Sequence, residues 1–420
     1  MAPRRLMMTA LVITGLGYAF DGYNNSVFGL TLPWLSRSLH LTYADIGAIV
    51  AAFGLLYAIG AAVAGYLADR WGRRPMLTTT IGAYSLGALL TGLSGGVPML
   101  TGSRAFSGLA LGGEIPVGWA YMAEHTPHDL RGRFLGIQQA FWPLGYLFAT
   151  LVVFMLAHQV FGVIPIGIAW RLAIWVGVLP ALLLLWIRWR MRESAAWMNS
   201  GEEARTARTH HAPPVGQLLR RDLFPGLALA SLLQITGTVV FASAMTWFPL
   251  LLVKVRHLSV GQMSTDLVLW VAAAFVGQIV SGWLSDRWGR RTVTIVFIAG
   301  QALCFLAFTR LANPAALLMA APVVGFFVLG VWGVLSVWMN ELFPTTVRAT
   351  GLGVSATIGR LMNVLAPLMV GAIATQAGLE TALLPLPALS LLTVGILLGW
   401  RHVPQFTATT QGEAVVAAVE

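Results

Sequence analysis

The chain of 420 residues is 57% hydrophobic and only 10% charged, with a mean hydropathy of +0.76, which excludes a soluble globular protein. Its net charge of +10 would suit a nucleic-acid partner, but the basic residues are sorted between two sides of a series of apolar segments, which excludes that reading. The single cysteine, Cys304, excludes an intramolecular disulfide and a cysteine metal cluster.

Near-continuous apolar stretches long enough to cross a bilayer core recur along the whole chain. They predict twelve spans, over 8–30, 43–66, 75–94, 98–122, 134–157, 168–187, 223–252, 264–284, 292–310, 315–340, 349–374 and 381–400. The first five residues and the apolar run after them resemble a signal peptide. The run is too long for one and opens a recurring series of spans, so it reads as an uncleaved first helix. Spans 1 to 6 form an N-terminal half, 1–187, and spans 7 to 12 a C-terminal half, 222–402. Between them, 188–221 is a polar linker expected to be partly helical and to lie on the cytoplasmic surface. The tail 403–420 is small and polar and is expected to be a disordered cytoplasmic extension. No soluble domain is expected.

Arg4, Arg5, Arg70, Arg73, Arg74, Arg131, Arg133, the linker arginines, Arg287, Arg290, Arg291, Arg348 and Arg401 fall on one side of this series. Only Arg37, Arg171, Lys254, Arg256 and Arg310 fall on the other. That is the positive-inside asymmetry, and it puts both termini and the linker in the cytoplasm. The basic excess reports topology and contact with anionic lipid; no nucleic acid is expected as a partner.

Residues 65–74, GYLADRWGRR, return as residues 282–291, GWLSDRWGRR, 217 positions later. Glu124, Pro127, Arg131 and Gly136 return as Glu341, Pro344, Arg348 and Gly353 at the same offset of 217. A constant offset over two separate motifs, each a polar island between spans, means that a set of membrane helices is duplicated.

Six plus six spans about a cytoplasmic linker, with GxLxDRxGRR between spans 2 and 3 and again between 8 and 9, strongly resemble the major facilitator superfamily over essentially the whole chain. The resemblance implies an all-α membrane fold of twelve transmembrane helices in two pseudo-symmetric six-helix halves. Several features resemble its sugar-porter and aromatic-acid/metabolite:proton symporter branches. They are Arg104 in RAFSGLALGGE, Glu124 with Arg131-Gly132-Arg133, the run RESAAW from Arg192 to Trp197, and residues 341–348, ELFPTTVR.

The repeated loops are the expected cytoplasmic gate. Gly72 and Gly289 allow a tight turn. Asp69 and Asp286 sit where a carboxylate can face the N-terminus of a helix of the opposite half, span 11 or span 5, where the dipole favours an anion. Arg73 and Arg74 can pair with Glu124 and Glu193 in a charge network that forms when this side closes and breaks when it opens. Arg70, Arg131, Arg133, Arg287, Arg290, Arg291, Glu341 and Arg348 complete the gate set. Topology anchoring alone would explain the arginines, but not two aspartates kept in register.

Charged residues inside the spans bear on cargo. Asp21 in span 1 is costly there unless it faces a polar cavity, so it is the first candidate to carry a coupling proton, against the plainer role of a locally bonded structural carboxylate. Its surroundings resemble the DGxD of aromatic-acid symporters, with Asn24 in place of the second acid. Glu114 is the second candidate, in a stretch that resembles the GGE-x-PV of nicotinate-type and related organic-ion carriers. Arg104 resembles the span 4 arginine of the aromatic-acid family; by itself it could equally snorkel to the lipid surface. Arg360, mid-way along span 11, could bind a carboxylate bidentately or stand as a counter-ion to Asp21 or Glu114. Gln138 and Gln139 resemble the glutamine of the sugar-porter RGxxxSxNQ, and Gln234 with Gly237 part of its QQxxGxN, whereas Ser336 stands where sugar porters carry tryptophan. Tyr23, Trp142, Trp247 and Trp332 could stack on a ring or simply pack between helices.

Every histidine falls in a loop or at a span end, so no intramembrane catalytic or metal site is expected, and no P-loop is present for ATP-driven transport. The expected activity is that of a secondary carrier, not an enzyme, with no bound cofactor and the proton as coupling ion. Its expected partners are the lipid bilayer and a small-molecule substrate, and it is expected to be a monomer in the cell inner membrane. Alternating access would move a small organic acid, aromatic acids included. Asp21 and Glu114 would carry the proton, Arg104 and Arg360 would attract the anion, and Gln138, Gln139, Tyr23 and Asn24 would orient it. A sugar or polyol carrier, an exporter of organic compounds and a non-transporting sensor are the alternatives; a sensor would be expected to carry an output domain or a long tail.

Overall fold

A backbone in lipid must satisfy its own hydrogen bonds, which a helix does within one segment. The computed structural model describes residues 2–158, 163–179, 191–199, 214–258 and 260–400, and these are helical almost throughout, with no strand among them. The long helices in chain order are α1 (Ala2–Leu39), α2 (Tyr43–Trp71), α3 (Arg73–Gly92), α4 (Val97–His125), α5 (Arg131–Ala157) and α6 (Ile166–Val176). They continue with α7 (Phe224–Leu250), α8 (Val260–Trp288), α9 (Arg290–Arg310), α10a (Pro314–Val328), α10b (Val331–Glu341), α11 (Arg348–Ala377) and α12 (Pro385–Gly399). Among the described residues, eight helical stretches are long and apolar enough to cross a membrane: α1, α2, α5, α7, α8, α9, the α10 pair and α12.

Helices α3, α4 and α11 occupy the third, fourth and eleventh expected spans. Helix α4 is more polar because so much of it faces protein: Ser103, Arg104, Ser107 and Glu114 are all buried. The end of the sixth expected span, most of the linker and the tail lie outside the described residues. Span 10 differs from expectation. It breaks at Leu329 and Gly330, where Gly330 lies directly on the backbone of Gly277. Span 7 gives way after Leu250 to a π-helical turn, Leu251–Val255.

Contacts divide the chain into two compact units. The first takes Met1–His125, Phe141–Gln217 and, from the second half of the sequence, Thr345–Thr357. The second takes Leu218–Pro344, Ile358–Glu420 and, from the first half, Thr126–Ala140. Each unit therefore contains the beginning of one helix, α11 or α5, that belongs by sequence to the other half.

Small residues let the backbones of each unit touch. In the first unit, Gly60 of α2 lies on the carbonyl of Leu109 in α4, and Gly108 of α4 on the carbonyl of Phe53 in α2. In the second, Gly277 of α8 lies on the carbonyl of Phe326 and Gly325 of α10a on that of Trp270. Every residue of the second set is 217 positions from its counterpart in the first, so the duplication persists in the packing. Between α2 and α3, and between α8 and α9, a single residue turns the chain, Gly72 with φ 108° and Gly289 with φ 82°, which a side chain would strain.

Gly108→Val and Gly325→Val should each cost about 1–3 kcal/mol by overpacking, read as a lower melting temperature in detergent. Gly102→Val, on the same helix as Gly108 but with nothing within 4 Å of its missing side chain, should melt close to the native protein. Equal losses at Gly102 and Gly108 would contradict this packing.

Candidate functional site

The last turn of α2 and the first turn of α11 form a clasp in the first unit. The Asp69 carboxylate is buried and accepts from the backbone N–H groups of Ala349 (3.3 Å) and Thr350 (2.7 Å) and from the Thr350 hydroxyl (2.6 Å). Those N–H groups have no partner inside their own helix, and the positive end of the dipole favours an anion there. Arg73 pairs with Asp69 at 2.8 Å and Glu124 at 2.8 Å, and donates to the carbonyl of Thr345 at 3.0 Å. Arg348 approaches the same Glu124 at 3.4 Å.

The second unit repeats the clasp with the parts exchanged. Asp286 of α8 accepts from the backbone N–H groups of Gly132 (2.8 Å) and Arg133 (2.9 Å) in the first turn of α5. Arg290 pairs with Asp286 at 2.6 Å and Glu341 at 3.1 Å and donates to the carbonyl of His128 at 3.2 Å. Arg131 approaches Glu341 at 3.5 Å, and the His128 ring lies 3.4 Å from it. Aspartate, arginine, glutamate, second arginine and accepting carbonyl all recur at the offset of 217. Burying an ion costs several kcal/mol, so these charges persist only while each keeps its partners.

The two clasps differ at their rims. Glu193 accepts from the backbone N–H groups of Arg73 (3.0 Å) and Arg74 (3.1 Å), so it caps α3, whose N-cap Gly72 has no side chain for the task. It joins the network through the backbone, a mode that the expected pairing with arginine side chains does not contain. Trp197 then donates to the carbonyl of Asp69 at 2.9 Å. In the second unit a cavity lined by His128, Asp129, Asp286, Gly289 and Arg290 opens on the corresponding place. Of the remaining gate candidates, Arg70 lies outside against the Tyr66 hydroxyl (3.4 Å) and Arg287 over the Trp283 ring (4.1 Å). Arg291 donates to the carbonyls of Leu397 and Leu398 at the end of α12.

A buried acidic cluster lies within the first unit. Asp21 is fully buried on α1 and accepts from the Tyr57 hydroxyl (3.2 Å) and the Trp142 indole (3.0 Å). Glu114 of α4 accepts from the Thr80 hydroxyl (3.3 Å), and its other oxygen fills the space left by Gly17, one turn before Asp21. The two carboxyls thus share a face of α1, close enough to sense each other's charge. The Tyr84 hydroxyl is buried and has no hydrogen-bond partner.

Arg104 lies on the same helix as Glu114 and is buried rather than snorkelling. Its guanidinium lies over the rings of Phe28 (4.5 Å) and Phe53 (4.2 Å), and its Nε has no hydrogen-bond partner. No carboxylate pairs with it among the described residues. Tyr23 donates to the carbonyl of Ala173 (2.5 Å), and Asn24 donates to the carbonyl of Phe20 (3.0 Å) while packing on Gly177, so both serve the joint of α1 with the sixth helix. In the second unit, Gln139 donates to the carbonyl of Trp332 (3.4 Å), and Gln138 is buried with its carboxamide oxygen unpartnered. Arg360 is partly exposed mid-way along α11 in that unit.

Tyr57, Thr80 and Tyr84 escape a reading based on charge alone. Each is a hydroxyl inside a span, and a polar atom in that position is the available signal. The ring seat of Arg104 has no such signal, because Phe28 and Phe53 resemble any other apolar residue until the helices pack.

Residues 14–367 and 257–417 match the family profile described as Major Facilitator Superfamily. A probable 4-methylmuconolactone transporter of Cupriavidus pinatubonensis is 31% identical over 368 residues, covering 87% of this chain and 84% of that protein. The niacin transporter of Acinetobacter baylyi is 31% identical over 387 residues, covering 86% of each. A solved structure of the proton:xylose symporter XylE bound to 6-bromo-6-deoxy-D-glucose matches with TM-score 0.80 at 19% identity, covering 96% of this chain and 97% of that one, a likeness of fold. By this match over most of its length, the chain belongs to the major facilitator superfamily as a membrane transporter, not an enzyme.

Proposed function

We propose that the protein takes up a small organic acid together with protons across the cell inner membrane, by alternating access. One observation carries this reading: a buried carboxyl pair, Asp21 and Glu114, shares a unit with Arg104, a buried guanidinium paired with no carboxylate among the described residues. A proton gained or lost by the pair changes the buried charge by one unit, while Arg104 offers an anion a cation already stripped of water. The names of the relatives, transporters of 4-methylmuconolactone and of niacin, support a small ring-bearing acid or its lactone.

In this reading the two clasps close the cytoplasmic side, and their rupture opens it. The proton serves as the coupling ion, with no bound cofactor. Both termini lie in the cytoplasm, as the arginine asymmetry supports, and the protein acts as a monomer. A sugar or polyol is the second reading, favoured by the unpartnered oxygen of Gln138, which suits a hydroxyl.

Proteoliposomes should accumulate niacin or a related labelled acid only under an inward proton gradient; accumulation without the gradient, or of xylose alone, would overturn the proposal. Asp21→Asn should abolish accumulation yet retain exchange of labelled for unlabelled substrate, and accumulation that survives the change would remove Asp21 from proton coupling. Arg104→Gln should raise KM for the acid by roughly tenfold or more, the usual worth of a hydrogen bond to a charged group, and an unchanged KM would place Arg104 outside the substrate site.

A further inference from the structure

The two clasps give their glutamates different third partners. In the first unit, Glu124 takes Arg73, Arg348 and the hydroxyl of Ser194, a neutral donor. In the second, Glu341 takes Arg290 (3.1 Å), Arg131 (3.5 Å) and the Nε2 of His128 (3.4 Å). The arginines are repeat counterparts; the third partners are not. The residue 217 positions after His128 is Thr345, whose carbonyl accepts from Arg73 just as that of His128 accepts from Arg290. The backbone role is therefore repeated, and the histidine side chain is an addition. Glu341 is also held at longer range: Arg73 reaches Glu124 at 2.8 Å, whereas Arg290 comes no nearer than 3.1 Å to Glu341. A buried carboxylate so held has more to gain from a third cation.

His128 is also placed to exchange protons. Its side chain is 52% exposed, that of Glu341 1%. The ring lines an open cavity of about 280 Å³. The charged groups around it are Asp129 beside it in the chain, Arg131 of α5, Asp286 of α8, Arg290 and Arg291 of α9, and Glu341 of α10b. Histidine is the one side-chain type in that set that ordinarily changes charge between about pH 5 and pH 8. Charge-assisted hydrogen bonds are roughly twice as strong as neutral ones. A histidine beside a carboxylate thus adds its stabilisation when protonated, and that contribution is present at low pH and lost as pH rises. We propose that His128 makes the second clasp a pH-sensitive latch. The protonated ring joins Arg290 and Arg131 on Glu341 and tightens the clasp; the neutral ring releases that grip. Its effect on transport rests on the reading that the clasps close the cytoplasmic side.

The test is hydrogen–deuterium exchange of the purified full-length protein in detergent, native against His128→Thr, at about pH 6 and about pH 8. Each comparison is made at one pH, so the chemical rate of exchange and the titration of other groups such as His125 cancel. The reporting amides are those of Gly132 and Arg133, which donate to Asp286. At the lower pH they should exchange roughly threefold faster in His128→Thr than in the native protein, within the usual worth of a partly exposed ion pair. At the higher pH the two should agree. The amides of Ala349 and Thr350 in the first clasp should not distinguish the two proteins at either pH, which separates loss of the latch from general destabilisation. His128→Arg, a cation at both pH values, should retain slow exchange at both. The same ratio of native to His128→Thr at both pH values, or no difference at either, overturns the proposal. Uptake into proteoliposomes at fixed external pH should slow more steeply in the native protein than in His128→Thr as internal pH falls. The expected exchange pattern with identical uptake profiles would leave the latch standing and overturn the closing role given to the clasps.

Discussion

Asp69 and Asp286 each place a carboxylate on the bare N–H groups at the start of a helix that comes from the opposite half of the chain. The clasps depend on that contact. It satisfies backbone donors that α11 and α5 cannot satisfy internally, and it puts an anion where their dipoles favour one. Arg73 and Arg290 then hold aspartate and glutamate together, so that no charge in the set is buried without a partner. Such a network has two stable conditions, fully paired or fully hydrated, because a half-paired buried charge is the costly state. That all-or-none behaviour suits a switch better than a graded hinge.

Where the two halves repeat, they build the clasps; where they differ, they place charged side chains inside the spans. Asp21, Arg104 and Glu114 stand opposite Thr238, Ala321 and Val331, and Arg360 stands opposite Pro143. Asp266 stands opposite Ile49 and extends the list to the other unit. The clasps also diverge at the rim, where Glu193 and Trp197 cover the first and a cavity opens on the second.

Much of this was legible in the chain itself, for physical reasons. Apolar runs report contact with lipid or core, so the helices could be placed along the chain, and an aspartate and arginines that return in register 217 positions later on polar islands made the clasp residues stand out. Partners in three dimensions were less accessible. Nothing in sequence distance says that Tyr57 and Trp142 donate to Asp21 or that Glu114 fills the notch at Gly17. Glu193 was visible as an acid near the gate, but its use as a backbone cap follows from Gly72, which leaves α3 without a capping side chain of its own. The break of the tenth span was hidden because Leu329 and Gly330 lie inside an unbroken apolar run, and the close approach to Gly277 appears only on packing.

The most direct test of the claim that paired clasps hold the closed state is a pulsed spin-label distance measurement in liposomes. Trp71 and Trp288, 57% and 58% exposed at the ends of α2 and α8, are related by the repeat and can carry the labels once Cys304 is replaced by alanine. With both clasps intact, a single distance population should dominate. With Asp69→Asn and Asp286→Asn together, a second population should appear. An unchanged distance distribution in the double variant would contradict the account.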